Sequence, residues 1–206
     1  MATTERNGTE RNTKGRAAQD DARKGGLSNF TVLAGATAAG AALGVLAMIG
    51  RKAAVQAPTY LAGNWADALA AEHAATLKIF DALEATDSSN TTKRSILLTQ
   101  MKHALAKHAL QEENAVYPSL REHGMVEGAD ELNAEHGYVK QYLYELENLP
   151  KDSSEFLPKL AKFRADIEDH MREEEQDLFP KLRGKLSEEG NKKLTNLMNK
   201  EGFKLA

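Results

Sequence analysis

Along residues 60–206 the apolar positions recur at steps of three and four, the period of a helix with one buried face. Leu69, His73, Leu77, Phe80 and Leu83 make one stripe, and Leu98, Met101, Leu105, His108, Glu112 and Ala115 a second. Leu132, His136, Val139, Leu143 and Leu146 make a third; Leu160, Phe163, Ile167, His170, Glu174 and Asp177 make a fourth. Helix breakers fall between them at Asp87–Asn90, His123–Gly128 and Pro150–Ser154. Four helices joined by loops this short predict an all-α, up-down four-helix bundle over residues 60–206. A short C-terminal helix is expected after Ser187, whose hydroxyl suits an N-cap. Tyr60 and Trp65 precede the first stripe and are expected to cover the end of the bundle.

Upstream the pattern changes twice. Residues 1–29 are polar and carry no periodic apolar face, which predicts a disordered tail. No charged residue occurs between Lys24 and Arg51, and residues 30–50 are rich in Ala and Gly with interspersed Val, Leu, Met and Ile. A helix of about 20 apolar residues can cross a bilayer. Gly40 and Gly44, with Ala36 before them, have the small-residue spacing that lets helices pair closely. Three readings stay open for this N-terminal apolar helix: a membrane anchor, an oligomerisation or packing helix, and a secretory signal. The long preceding tail and Arg51-Lys52 directly after the run fit the signal least. The same two cations favour a cytoplasmic bundle, tethered to the membrane if the segment is an anchor.

Composition narrows the chemistry. The chain has no cysteine, so disulfides, thiolate metal sites and a cysteine nucleophile are excluded. Twenty-seven basic residues against 30 acidic ones give a net charge of -3, without the basic stripe that a nucleic-acid partner requires. Any metal must use imidazole, carboxylate or water.

The stripes carry such groups, and they repeat. His108-x3-Glu112-Glu113-x3-Tyr117-Pro118-x-Leu120-Arg121 recurs 62 residues later as His170-x3-Glu174-Glu175-x3-Phe179-Pro180-x-Leu182-Arg183. The single histidines His73 and His136 are spaced almost identically. Two related helical hairpins with approximate twofold symmetry are therefore expected. Residues four apart share a helix face, so each His-x3-Glu pair points into one layer. A carboxylate in a core costs several kcal/mol unless it is paired or metal-bound. No Lys or Arg on the stripes neutralises Glu112 or Glu174. A lone core histidine is ordinarily just hydrogen-bonded, and a Glu-Glu run is ordinarily a solvated face. Four stripe histidines and two in-register glutamates, duplicated, point instead to a dinuclear metal centre built from His73, His108, Glu112, His136, His170 and Glu174. Sulfur-free ligands of this kind suit iron, manganese or zinc.

The neighbours read differently. His103 falls about 140° around the helix from His108 and is expected at the surface. His123, before Gly124, suits a helix C-terminus. Glu113 and Glu175 are expected in solvent or behind the ligands, and Glu135 in solvent or along an access path. Tyr117-Pro118 and Phe179-Pro180 are expected to pack and to bend their helices.

At these residues, over about 65–185, the chain resembles the hemerythrin-like, or HHE cation-binding, family. The ferritin-like alternative needs Glu-x-x-His, and no histidine here has a glutamate three residues before it. The resemblance implies a four-helix bundle around two non-haem iron ions, held by the six residues above with Glu112 and Glu174 bridging. It implies binding of oxygen, nitric oxide or peroxide, in sensing or in protection from oxidative or nitrosative stress. Two other readings stay open: a peroxide-decomposing enzyme, and iron binding or storage without catalysis. Oxygen-carrying members place a second histidine on the third helix, where this chain has Lys140, and use His-x4-Asp on the fourth, where it has Glu174 and Glu175.

Overall fold

A computed structural model describes Gly50, Lys52, Gln56, Thr59 and residues 61–206. The expected tail, and the apolar run up to residue 49, lie outside the described residues. Residues 51–206 form one unit, and among its described residues all regular structure is helical.

Helix α1 (Trp65–Glu84) opens at Asn64, whose side chain accepts from the Asp67 N–H at 3.0 Å. Helix α2 (Thr91–Gln111) runs without a break through a π-helical turn, Glu112–Val116, into α3 (Tyr117–Glu122). After α4 (Val126–Asn148), α5 (Phe156–Glu173) likewise runs through a π-helical turn, Glu174–Leu178, into α6 (Phe179–Lys185). Helix α7 (Glu188–Leu205) follows, N-capped as expected by Ser187, which accepts from the Gly190 N–H. The long helices α1, α2, α4 and α5 close a ring in which α1 packs on α2 and α5, and α4 on α2 and α5. This is the expected four-helix bundle, and α7 lies across α1 and α2 as a fifth helix.

The repeat explains both π-helical turns. Pro118 and Pro180 lack the N–H that an α-helix would use there. One residue earlier, the N–H groups of Tyr117 and Phe179 reach five residues back to the carbonyls of Glu112 and Glu174. The widened turn adds one residue and rotates the following face. Asp177, expected on the fourth stripe, is therefore partly exposed, and Leu178 is buried in its place. Helix α4 also begins earlier than the breaker pattern implies. Gly128 lies in its first turn, where a Cβ would come within 3.0 Å of Leu178. The chain break is made instead by Gly124, whose φ of 81° suits glycine, with His123 Nδ1 donating to the Ser119 carbonyl.

Two apolar clusters fill the bundle. One contains Trp65, Leu69, Val116, Leu132, Phe179 and Met198; the other contains Phe80, Met101, Leu143, Phe156, Phe163 and Ile167. On every long helix the histidines and their glutamate partners occupy the interval between these clusters, so a polar layer is enclosed above and below by hydrocarbon. Trp65 is fully buried at the bundle end, its indole N–H donating to Asn191 of α7 at 2.9 Å. No described helix is long and apolar enough to cross a membrane.

Candidate metal centre

The structure brings all six sequence-predicted site residues into this layer. His73 comes from α1, His108 from α2, His136 from α4 and His170 from α5, while Glu112 and Glu174 open the two π-helical turns. All six are buried, and both carboxylates are completely so. Their donor atoms form two groups, each able to hold one cation: His73, His108, Glu112 and Glu174, and then Glu112, His136 and His170.

The four imidazoles turn Nε2 inward. Glu112 Oε1 lies 3.1 Å from His108 Nε2, and its Oε2 lies 3.3 Å from His136 Nε2, so this carboxylate spans the two groups. Glu174 Oε2 lies 3.3 Å from His73 Nε2 and 3.5 Å from His170 Nε2. Glu112 Oε1 and Glu174 Oε2 are buried without a hydrogen-bond partner although ring nitrogens surround them. His73 Nε2 and His108 Nε2 also face each other at 2.8 Å. Unpartnered carboxylate oxygens that converge with imidazole nitrogens in this way are arranged as ligands around a cation. The donor set therefore fits metal ions.

Behind each ring stands an acid. His73 Nδ1 lies 2.7 Å from Glu175, His136 Nδ1 2.9 Å from Glu113, His170 Nδ1 2.7 Å from Glu135, and His108 Nδ1 3.4 Å from Glu72. An Nδ1–H donated outward leaves the Nε2 lone pair facing the layer, which fixes tautomer and ring direction together. The pairing follows the repeat: each lone histidine is held from a Glu-Glu run, and each His-x3-Glu histidine by the glutamate preceding a lone histidine. Sequence reasoning weighed Glu113, Glu135 and Glu175 but missed Glu72. The signal was present, because Glu72-His73 and Glu135-His136 are the same dipeptide in both halves.

The electrostatics draw positive charge into the layer. Burial works against a proton on His108, but Glu112 and Glu72 outweigh it and hold its imidazole well above the ordinary value. Burial and His108 both oppose charge on His73, yet Glu174 and Glu175 raise it. His170 is raised, against burial, by Glu174 and Glu135. Burial pushes Glu112 up, but His108 and His136 bring it well below the carboxylate range. Against burial, His108 and Lys107 hold Glu72 down at about 2.

A hydroxyl completes the layer. Tyr117 Oη donates to Glu174 Oε1 at 2.8 Å and lies 3.1 Å from His136 Nε2 and 3.4 Å from Glu112 Oε2. Burial, and then the negative charge of Glu112 and Glu174, push its ionisation well above the ordinary phenol value. The repeat places a phenyl ring, Phe179, at the equivalent position, so the hydroxyl serves one half only. Packing was expected of Tyr117; its hydroxyl was not. Lys140 contributes nothing to the layer, being 66% exposed and paired with Glu113 at 3.1 Å. His103 is exposed, as its angular position requires. Two surface grooves end at the layer: one of about 260 Å³ reaches His136 between Leu105, Ala109, Val139 and Leu143, and one of about 300 Å³ reaches His170 beside Phe163 and Ile167.

Comparison with known proteins agrees with this geometry. Residues 66–182 match the family model of the hemerythrin HHE cation-binding domain. An uncharacterized hemerythrin-like protein of Schizosaccharomyces pombe is 36% identical over 88 residues, covering 41% of this chain and 43% of that protein. A DNA nickase of Nostoc is 27% identical over 126 residues, covering 61% of this chain and 35% of that protein. The chain thus spans less than half the length of either relative. No solved structure matches it. With a matching model over more than half its length and a buried His/Glu cluster able to hold metal, the chain belongs to the hemerythrin HHE cation-binding family.

Proposed function

We propose that this chain is a non-haem di-iron protein that binds a small ligand, either a diatomic such as oxygen or nitric oxide, or peroxide. It would serve in sensing or in protection from oxidative and nitrosative stress. The observation that carries this reading is the pair of buried carboxylates, Glu112 and Glu174, each facing imidazole nitrogens of both groups. His73 and His108 would hold one ion and His136 and His170 the other, with both carboxylates spanning them; manganese or zinc meets the same donors. Bound iron supplies one-electron redox chemistry and open positions for such a ligand.

The chain's own residues do the rest. The outward acids keep the rings from turning. The two apolar clusters exclude bulk water, which strengthens every charge interaction in the layer. The grooves at His136 and His170 favour ligand entry on that side of the layer. Tyr117 Oη keeps its proton and donates it to Glu174 Oε1, and an anionic ligand beside His136 would compete with that carboxylate for it.

Optical spectroscopy of iron-loaded protein, reduced without air and then exposed in turn to oxygen, nitric oxide and peroxide, tests the reading. A stable ligand-dependent absorption change is expected with at least one of them. Rapid gas evolution on peroxide supports the enzymatic alternative, and iron uptake without any response supports storage. Protein that takes up no iron overturns all three. The nickase relative suggests DNA cleavage as another activity. The acids around the layer and the net charge of -3 weigh against a DNA surface. Supercoiled plasmid is expected to survive the metal-loaded protein, and nicked circles would reverse that view.

A further inference from the structure

The acids behind the imidazoles differ in one respect that the repeat does not share. Glu113, Glu135 and Glu175 reach water, whereas Glu72 is only 13% exposed. Glu72 also has a cation of its own. Lys107, next to His108 and itself buried, places Nζ 2.9 Å from Glu72 Oε1 and donates to Thr59 Oγ1 at 3.1 Å. The Thr59 hydroxyl donates to Glu72 Oε1 at 2.6 Å, and the Gln111 amide, turned with its nitrogen toward Glu72, donates to Oε2 at 2.8 Å. In the second half of the repeat the position of Lys107 is held by Asp169, an exposed acid. The sequence reading found no cation on the stripes. The structure places one immediately beside them, aimed at the acid behind a ligand rather than at a ligand.

A carboxylate that accepts an imidazole N–H makes that imidazole a stronger donor at its other nitrogen. An ammonium on the same carboxylate draws the charge back. That effect is large between buried groups and small in water. Lys140 makes the corresponding contact to Glu113 behind His136, but from an exposed position. Among the described residues, His108 is thus the one ring of the four whose acid pairs with a cation that is itself buried.

We propose that Lys107 is a positioning residue that acts through Glu72 on His108, weakening this ring as a donor and making the two metal positions electronically unequal. The inference rests on the metal-binding reading above. It gives the ion held by His73, His108, Glu112 and Glu174 a more positive reduction potential than it would have without Lys107.

The test is a redox titration of the iron-loaded full chain, paired with iron release to a chelator. Lys107→Met is expected to shift the potential negative without speeding release. Glu72→Gln is expected to shift it positive and to speed release about tenfold. The double variant is expected to match Glu72→Gln, because Lys107 acts through Glu72, and Lys107→Arg to stay near the parent. Lys140→Met is expected to shift the potential by less than half as much as Lys107→Met. A packing role predicts another pattern: faster release in both single variants, more in the double, and no opposed shifts. That pattern overturns the proposal, as do equal shifts from Lys107→Met and Lys140→Met. If Lys107→Met does not fold, the double variant carries the test, since it leaves no buried charge unpaired; a potential or release rate that departs from that of Glu72→Gln alone then overturns the proposal. A chain that takes up no iron overturns the metal reading and this inference together, whereas bound iron whose potential ignores Lys107 overturns this inference alone.

Discussion

Glu112 and Tyr117, five residues apart, reach one layer from the two ends of a π-helical turn, and they differ in how visible they are beforehand. The role of Glu112 follows from position, because a carboxylate on an apolar stripe needs a cation. Glu112→Ala or Glu174→Ala is expected to lower the metal bound per chain, whereas His103→Ala and His123→Ala leave it unchanged; metal analysis of the purified variants checks both. The hydroxyl of Tyr117 was hidden because an aromatic residue before a proline reads as packing, and only the widened turn aims its oxygen at Glu174. Proton linkage supplies a second check. His73, His108 and His170 are raised on folding, so their contribution is complete below the unfolded value of 6.5 and is lost as pH rises through the folded values. Glu72 is depressed, so its contribution is complete above 4.5 and is lost as pH falls toward 2. Chelator-treated protein should therefore be most stable between these limits and weaken as the solution becomes alkaline. Metal-loaded protein should not weaken there, because ions replace the protons. Thermal denaturation at about pH 6 and about pH 8.5, with and without metal, measures this; identical pH dependence in the two forms would contradict it.

At the scale of elements, the helices were legible because three-four periodicity and short breaker segments report burial directly. What the pattern missed were changes of register. The π-helical turns depend on a missing N–H and not on hydrophobicity, so Asp177 was assigned the place that Leu178 takes. Gly128 reads as a breaker, yet it serves close packing against Leu178 inside α4. Buried polar anchors were also invisible. Arg94, 2% exposed, donates to Thr86 Oγ1 at 2.8 Å and to the Lys151 carbonyl at 2.6 Å, and its guanidinium lies over the Phe156 ring. It ties together the loops before α2 and before α5, at the bundle end remote from Trp65. Arg94→Met is expected to cost about 2 kcal/mol, since three acceptors, the Thr86 hydroxyl and the Thr86 and Lys151 carbonyls, lose a charged partner. Chemical denaturation reads the loss, and metal content should not change. A variant as stable as the parent would show that the loops hold without it.

At the scale of the molecule, two apolar clusters hold a charged layer between them, and the ring of four helices leaves that layer reachable through shallow grooves. Such a core is stabilised by what it binds: an ion that prefers the folded chain adds about 2.7 kcal/mol at a hundred times its dissociation constant. The bundle, its order of helices and the six inward-facing residues could be read from the sequence because duplication wrote each feature twice. Lys107 could not, because it occurs in one half only and acts from beside the stripe. The most direct trial of the whole account is the iron content of the full chain after anaerobic loading and removal of free metal, set beside a Glu112→Ala, Glu174→Ala double variant that still folds. Two ions per parent chain and fewer than one in the variant are expected. No iron in the parent, or two ions retained without either carboxylate, would contradict it.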